Sequence, residues 1–201
     1  MHKLAVFDLC DTLYKSNTTF DFIRFIKPTY SKVIFSFPTR ILNKTVSKFF
    51  EFDLIRFLAL ISLRGYSEDQ LKDLSELFFE EFLVGKELSE PMQLLNSHGS
   101  NVVIMSASID PIVKVVANKL GVDYLSSQLS YVDGFCTGKL SVDMLGKKAL
   151  YVSSEVGFVV TDNRSDLSLV LQSDSAVIVS KEKNLSFWKS KLRPQDRIIE
   201  V

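Results

Sequence analysis

The stretch Ala5 to Ser16, AVFDLCDTLYKS, sets the end of a short apolar run against two aspartates with a cysteine between them. Such a run, stopped abruptly by an acidic residue, reads as a strand buried on both faces that delivers Asp8 to its carboxyl end. Three more runs have the same form: VVIM before Ser106, FVV before Thr161 and AVIV before Ser180. They are continuous rather than alternating, which points to a parallel sheet. After the second run, Asp110 and Pro111 open a helix, Ile112, Val115, Val116 and Leu120 share one face, and Gly121 supplies the stop. The element is βαβ. In open α/β sheets ligands bind beyond the carboxyl ends of the strands, so the polar residues there are the ones to weigh.

Composition narrows the function classes. The chain has 201 residues, 46% of them hydrophobic, and equal numbers of basic and acidic residues. That is enough for a buried core, and a net charge of zero gives no reason to expect a nucleic-acid partner. Cys10 and Cys136 lie far apart, and His2 and His98 stand alone, so neither a zinc site nor a disulfide scaffold is expected. The start, MHKLAVFDLCD, does not read as a signal peptide, and LIRFLALISL (Leu54 to Leu63) is too short to span a bilayer. The expectation is a reduced, cytoplasmic protein with no transmembrane segment; its oligomeric state stays open.

About ninety residues separate the first two strands, too many for one crossover, so a helical insert is expected. In SEDQLKDLSELFFEEFL, Ser67 and Gln70 form a capping box and Leu71, Leu74, Leu77, Phe78 and Phe82 fall roughly on one face. From Lys15 to Tyr66 there are nine basic residues against three acidic, a local net of +6, and twelve of the sixteen phenylalanines lie between Phe20 and Phe82. The reading preferred here is a small aromatic core with a solvated basic face. The sharper alternatives are a basic lid over an anionic substrate and a peripheral contact with anionic lipid.

The strand-end residues form an ordered set: Asp8, Ser106, the pair Lys147 and Lys148, then Asp162 and Asp166 within TDNRSD. Carboxylates gathered at one sheet edge need a cation to offset them. Oxygen donors without clustered His or Cys suit magnesium, and an aspartate beside that ion can attack phosphorus. A lysine and a serine hydroxyl would then hold the phosphoryl oxygens.

FDLCDTL, VVIMSAS, a GKK lysine and VTDNRSDL, in that order, resemble the four motifs of the haloacid dehalogenase superfamily, in its phosphoserine-phosphatase-like branch. LRGYSEDQLKDLSELFFEEFL, SASIDPIV, LGVDYLSSQL and DGFCTGKL extend the similarity over roughly residues 3 to 180. The resemblance implies a Rossmann-like parallel sheet core, residues 1–14 and 92–201, with an inserted helical cap, residues 15–91. It implies a magnesium-dependent phosphohydrolase that acts on a small phosphorylated metabolite through an aspartyl-phosphate. Asp8 would be nucleophile and Ser106 phosphoryl ligand, with Asp11, Thr12 and Ala107 as neighbouring phosphate-binding positions. Mg2+ would be held by Asp8, Asp162, Asp166 and the backbone carbonyl of Cys10. The spacing favours Lys148 over Lys147, since Ala149 and Val152 then lie on an apolar face behind it. Arg164 reads as a solvated loop residue and Cys136 as structural, in a hairpin beside Asp133 and Gly134.

Two departures from the family pattern stand out. Cys10 occupies the place of the usual acid-base aspartate, and Asp11 the place of a usual glycine. Loss of general acid-base help costs about 10²- to 10⁴-fold without removing the nucleophile or the metal. The alternatives are therefore a slow phosphatase, a phosphotransferase, use of Asp11 as the acid, or a catalytically weak binding module. A cysteine nucleophile is not supported: Ser16 and Val142 stand six residues after the two cysteines, where an arginine would be needed. YKSNTTFDF also lacks the cap glutamate that reads the amino group of phosphoserine, so a more anionic, sugar or lipid phosphate fits the basic insert better.

Overall fold

Phe7 pairs with Ile104 on one side and Val160 on the other, both in parallel register, so the three central strands end level with one another. A computed structural model describes residues 3–50, 53–99, 101–152 and 155–201, with backbone alone at 49 and 50. Phe49, Phe50 and Phe52, counted above among the insert's rings, fall outside the described side chains. The strands are β1 (Leu4–Phe7), β2 (Val102–Ile109), β3 (Asp123–Val132), β4 (Phe135–Val142), β5 (Val156–Thr161), β6 (Ser175–Ser180) and β7 (Arg197–Glu200). They form one sheet in the order β4-β3-β2-β1-β5-β6-β7. All pairings are parallel except β3 with β4, which form a hairpin around Asp133 and Gly134. The four apolar runs are β1, β2, β5 and β6, as expected, and their central residues are buried. β7 carries only two apolar residues, Ile198 and Ile199, and had no comparable signal.

β1 has β2 on one side and β5 on the other, so the chain reverses its direction of travel across the sheet at β1. That switch opens a crevice beyond the carboxyl ends of β1 and β5. Helices α7 (Asp110–Leu120), α8 (Leu167–Gln172) and α9 (Glu182–Lys189) join the strands. α7 begins with Pro111 in its first turn and ends at Gly121 with φ 67°, the left-handed stop read from the sequence.

Between β1 and β2 come α1 (Thr18–Ile26), α2 (Pro28–Ile34), α3 (Phe37–Phe50), α4 (Leu54–Ile61), α5 (Glu68–Phe78) and α6 (Ser89–Ser97). The Ser67–Gln70 capping box starts α5. Phe78 is fully buried and meets Phe22, Phe25 and Phe82 at ring-centroid distances of 5.5, 5.6 and 5.0 Å, so these rings do build a local core. Leu77, read above as part of the apolar stripe, is exposed, because one helical step of about 100° carries it off the line of Phe78. A π-helical turn at Phe79–Leu83 follows and keeps both of its end residues buried.

Entry and exit of the insert are tied together. Lys15 N–H donates to Lys86 O at 2.8 Å and Leu88 N–H to Leu13 O at 2.8 Å. This neck lies near residues 14 and 87, whereas the expected boundary between 91 and 92 falls inside α6. The hairpin makes a second tie. Gly65 N–H donates to Cys136 O and Cys136 N–H to Tyr66 O, both at 2.8 Å, and the buried Cys136 thiol accepts from Gly138 N–H. Cys136 is thus structural.

Gly138 has φ 76°, and a Cβ there would lie 2.8 Å from Ile61 Cα, backbone against backbone. Gly138→Ala is therefore expected to lose about 2 kcal/mol in urea unfolding, from the left-handed backbone and the displaced α4 together. Unchanged stability would show that β4 does not bear on α4 this closely.

Candidate active site

Lys148 lies in a 3-10 turn (Lys148–Tyr151), and its side chain is 3% exposed. Its ammonium reaches Asp8 Oδ1 and Asp166 Oδ2, each at 2.7 Å. Lys147, by contrast, is exposed. Thr161 Oγ1, at the end of β5, also donates to Asp166 Oδ2 at 2.7 Å. Burial works against the Lys148 ammonium, but the two carboxylates outweigh it and hold its pKa above the ordinary lysine value. Burial raises the Asp8 carboxyl above its usual value; Lys148 only partly offsets this, and Asp166 adds to it. Asp166 Oδ1 is buried without a hydrogen-bond partner.

Asp8 follows β1 directly, its N–H bonded to Val160 O at 2.8 Å, and Asp162 follows β5 directly. The two line one cavity of about 220 Å³ with Cys10, Asp11, Ser106, Ala107 and Lys148. Burial, then Asp8, then Asp11 push the Asp162 carboxyl up to about 8. Two carboxylates so placed are a hard-oxygen set in need of a cation. Among the described residues no three His, Cys, Asp or Glu side chains are placed to hold one metal ion between them; the carboxylates of Asp8 and Asp162 are the oxygen donors that could hold a cation such as magnesium, which takes one or two carboxylates and keeps several waters.

Thr12 and Asp166 do not line the cavity. The Thr12 hydroxyl accepts from Asp162 N–H at 2.9 Å and so fixes the loop that carries Asp162. Asp11 has φ 49°, a left-handed conformation glycine adopts freely and aspartate tolerates, which is the physical reason glycine suits this position. Its carboxylate is paired with Lys181 at 2.8 Å. Arg164 is exposed, stacked over the Phe187 ring at 4.6 Å.

Cys10 Sγ sits 3.2 Å from Thr18 Oγ1, 3.2 Å from Ser108 Oγ and 3.3 Å from Thr18 N–H at the start of α1. Burial and the charge of Asp8 push the thiol up to about 11, so it is protonated at neutral pH. Thr18 N–H donates to this position, and the Thr18 and Ser108 hydroxyls, which also bond each other, can donate or accept there, so the pocket would also accommodate a carboxylate.

The opposite wall comes from the insert: Asn17, Thr19, Phe20, Asp53 and Arg56. Arg56 of α4 makes a bidentate pair with Asp143, 2.8 Å for each bond, and also donates to Ala107 O at 3.3 Å. Burial would raise the Asp143 carboxyl, but the Arg56 guanidinium overrides it and holds it below the usual carboxylate range. Sequence reading passed over Arg56, one basic residue among nine in its segment. Its one local signal is the Asp53 N-cap, which starts α4 three residues before it. Beyond Arg56 a second cavity of about 370 Å³ shares Asp53, Arg56 and Leu145 and continues along Phe57, Leu60 and Leu140.

Comparison with known proteins follows the same lines. A family model described as haloacid dehalogenase-like hydrolase matches residues 5–170. No curated protein matches the sequence. Among solved structures, a protein of unknown function from Bordetella pertussis Tohama I superposes with a TM-score of 0.79 at 16% identity, covering 99% of each chain. A HAD family hydrolase from Salmonella enterica serovar Typhi gives 0.65 at 15%, covering 92% of this chain and 65% of that longer one. A substrate-bound phosphoserine phosphatase gives 0.62 at 18%, covering 98% and 93%. At these identities the likeness is one of fold.

Lys148→Met leaves Asp8 and Asp166 buried against each other without their cation, and is expected to cost about 3–5 kcal/mol in urea unfolding at pH 7. The deficit should shrink as pH falls. A carboxyl whose folded pKa is raised binds protons more readily folded than unfolded, so acid favours the variant's folded state. A loss below about 1 kcal/mol would show that Lys148 is not the charge that holds this site together.

Proposed function

The chain belongs to the haloacid dehalogenase-like hydrolases, and we propose that it hydrolyses the phosphoric monoester of a small metabolite through an aspartyl-phosphate on Asp8. The observation that carries this reading is the Lys148 ammonium 2.7 Å from Asp8 in a cavity also lined by Ser106 and Asp162. The Asp8 oxygen not held by Lys148 attacks phosphorus, a new O–P bond forms, and the bond to the leaving alkoxide breaks. Ser106 and the backbone beside Ala107 receive the phosphoryl oxygens, and Lys148 offsets their charge. Asp8, Asp162 and the residue-10 carbonyl would hold Mg2+, which would supply further charge neutralisation at the same phosphoryl group. Asp166 positions Lys148 and Thr161. Water then attacks phosphorus, the bond between phosphorus and the Asp8 oxygen breaks, and inorganic phosphate leaves carrying the water protons, which restores the Asp8 carboxylate.

The helical segment that starts at 15 and ends at the neck near 87 is proposed as a cap over the sheet edge, since it contributes one wall of the cavity. A reducing, cytoplasmic setting accords with two free cysteines, one of them at the cavity.

The departing alkoxide takes its proton from the Cys10 thiol or from water. A thiol pushed up to about 11 is protonated at neutral pH and takes no proton from the attacking water unless it has just given up its own. That observation favours a second reading, transfer of the phosphoryl group to an acceptor other than water.

Asp8→Asn is expected to keep the fold and abolish both turnover of phosphate esters and any hydroxylamine-sensitive phosphoenzyme. EDTA should silence the parent enzyme and magnesium restore it. Undiminished turnover in the variant would sink the aspartyl-phosphate mechanism, and turnover indifferent to EDTA would remove the metal from it.

Cys10→Asp places a carboxylate among the Thr18 and Ser108 donors. It should speed hydrolysis of alkyl phosphates roughly tenfold or more, and that of aryl phosphates less, because only the alkyl leaving group needs the proton. No gain on either ester would point to the transfer reading.

A further inference from the structure

α3 is turned inside out for a surface helix. Among its described side chains the less exposed ones are Thr39, Asn43, Val46 and Ser47, three of them polar: Thr39 donates to Val33 O at 3.0 Å, and Asn43 Oδ1 accepts from Ile55 N–H of α4 at 3.1 Å. Those bonds fix the rotation of the helix. Phe37, Ile41 and Leu42 consequently face solvent at 76%, 50% and 53% exposure, with Arg40, Lys44 and Lys48 exposed alongside them. On α2, Val33 is 66% exposed and Lys32 lies next to it. An ordinary helix of this kind turns its apolar side to the core.

The charge is as one-sided as the exposure. From Lys27 to Phe50 there are five basic residues and no acidic one, although the whole chain is neutral. Exposed apolar side chains flanked by Lys and Arg are the pattern of a helix that lies in the headgroup layer of a bilayer. Strongly exposed apolar side chains beside charge of one sign fit a surface that offers both hydrocarbon and phosphate. No helix among the described residues is long and apolar enough to cross a membrane, so contact through this face would be peripheral.

We propose that the α2–α3 face docks the protein on an anionic lipid surface, its apolar side chains entering the headgroup layer and its basic residues meeting lipid phosphate. The sequence alone favoured a solvated basic face; the outward turn of Phe37 and Ile41 reverses that preference. α3 ends three residues before Asp53 in sequence, and Asp53 lines the cavity. The proposal does not depend on the reaction assigned above.

The test is co-sedimentation of the full chain with vesicles of phosphatidylcholine alone and of phosphatidylcholine mixed with phosphatidylglycerol. Binding is expected to the mixed vesicles, to weaken as salt rises, and to be slight on phosphatidylcholine alone. Phe37→Ser with Ile41→Ser should lower the affinity roughly tenfold or more. Arg40→Gln with Lys44→Gln and Lys48→Gln should lower it roughly a hundredfold. Lys114→Gln with Lys191→Gln, on the sheet domain, should leave it unchanged. All of these side chains are exposed, so thermal midpoints should stay at the parent value. Absence of binding to the mixed vesicles at low salt, or equal binding by parent and both α3 variants, overturns the proposal. So does a concentration-dependent dimer in sedimentation velocity that Phe37→Ser with Ile41→Ser dissolves, since the face would then belong to a second copy of the chain.

Discussion

The site depends on one buried ammonium. Lys148 lies between Asp8 and Asp166 at 2.7 Å from each, out of water, where an unpaired charge is costly. Asp8 comes from the end of β1, Asp166 from the turn after β5, and Lys148 from a turn before β5. Three chain segments are thereby pinned at the topological switch of the sheet. The same contact occupies one oxygen of Asp8, a residue that lines the cavity.

The insert acts on this centre through few ties. The neck hydrogen bonds between Lys15 and Lys86 and between Leu13 and Leu88 hold its two ends together, while Cys136 and Gly138 of the hairpin meet Tyr66 and Ile61. Arg56, clamped on Asp143, is one polar link across the cavity, and Thr18 and Thr19, bonded to Ser108 and Ile109, are others. A guanidinium already paired with a carboxylate recognises a further anion only by sharing or exchanging that partner. The extension beyond it, along Phe57, Leu60 and Leu140, gives the cavity an apolar side that a bare phosphate does not need.

Cys10 shows how a local change can preserve a site's frame while altering its reactivity. Thr18 and Ser108 surround the thiol with hydrogen-bonding groups, and burial, with the charge of Asp8 second, keeps it protonated. Asp8, Lys148 and Asp162 line the same cavity beside it. A thiol in place of a carboxylate changes which protons are available there.

The strands β1, β2, β5 and β6 were legible because continuous apolar runs have one good fate, burial on both faces of a parallel sheet. The order of Asp8, Ser106, Lys148, Asp162 and Asp166 was legible because carboxylates at strand ends imply a shared cation. Residue types do not carry direction. Asp166 turned to Lys148, Thr12 to the Asp162 backbone and Leu77 to solvent only once neighbouring elements were packed. Arg56 could not be told from eight other basic residues until α4 was placed against Ala107 and Asp143, and β7, with two apolar residues, is a strand only because β6 offers it an edge. The sequence determined which chemistry is present. The tertiary structure decided which groups face one another, because contacts between segments as distant as Asp8 and Lys148 are set by the sheet and not by local sequence.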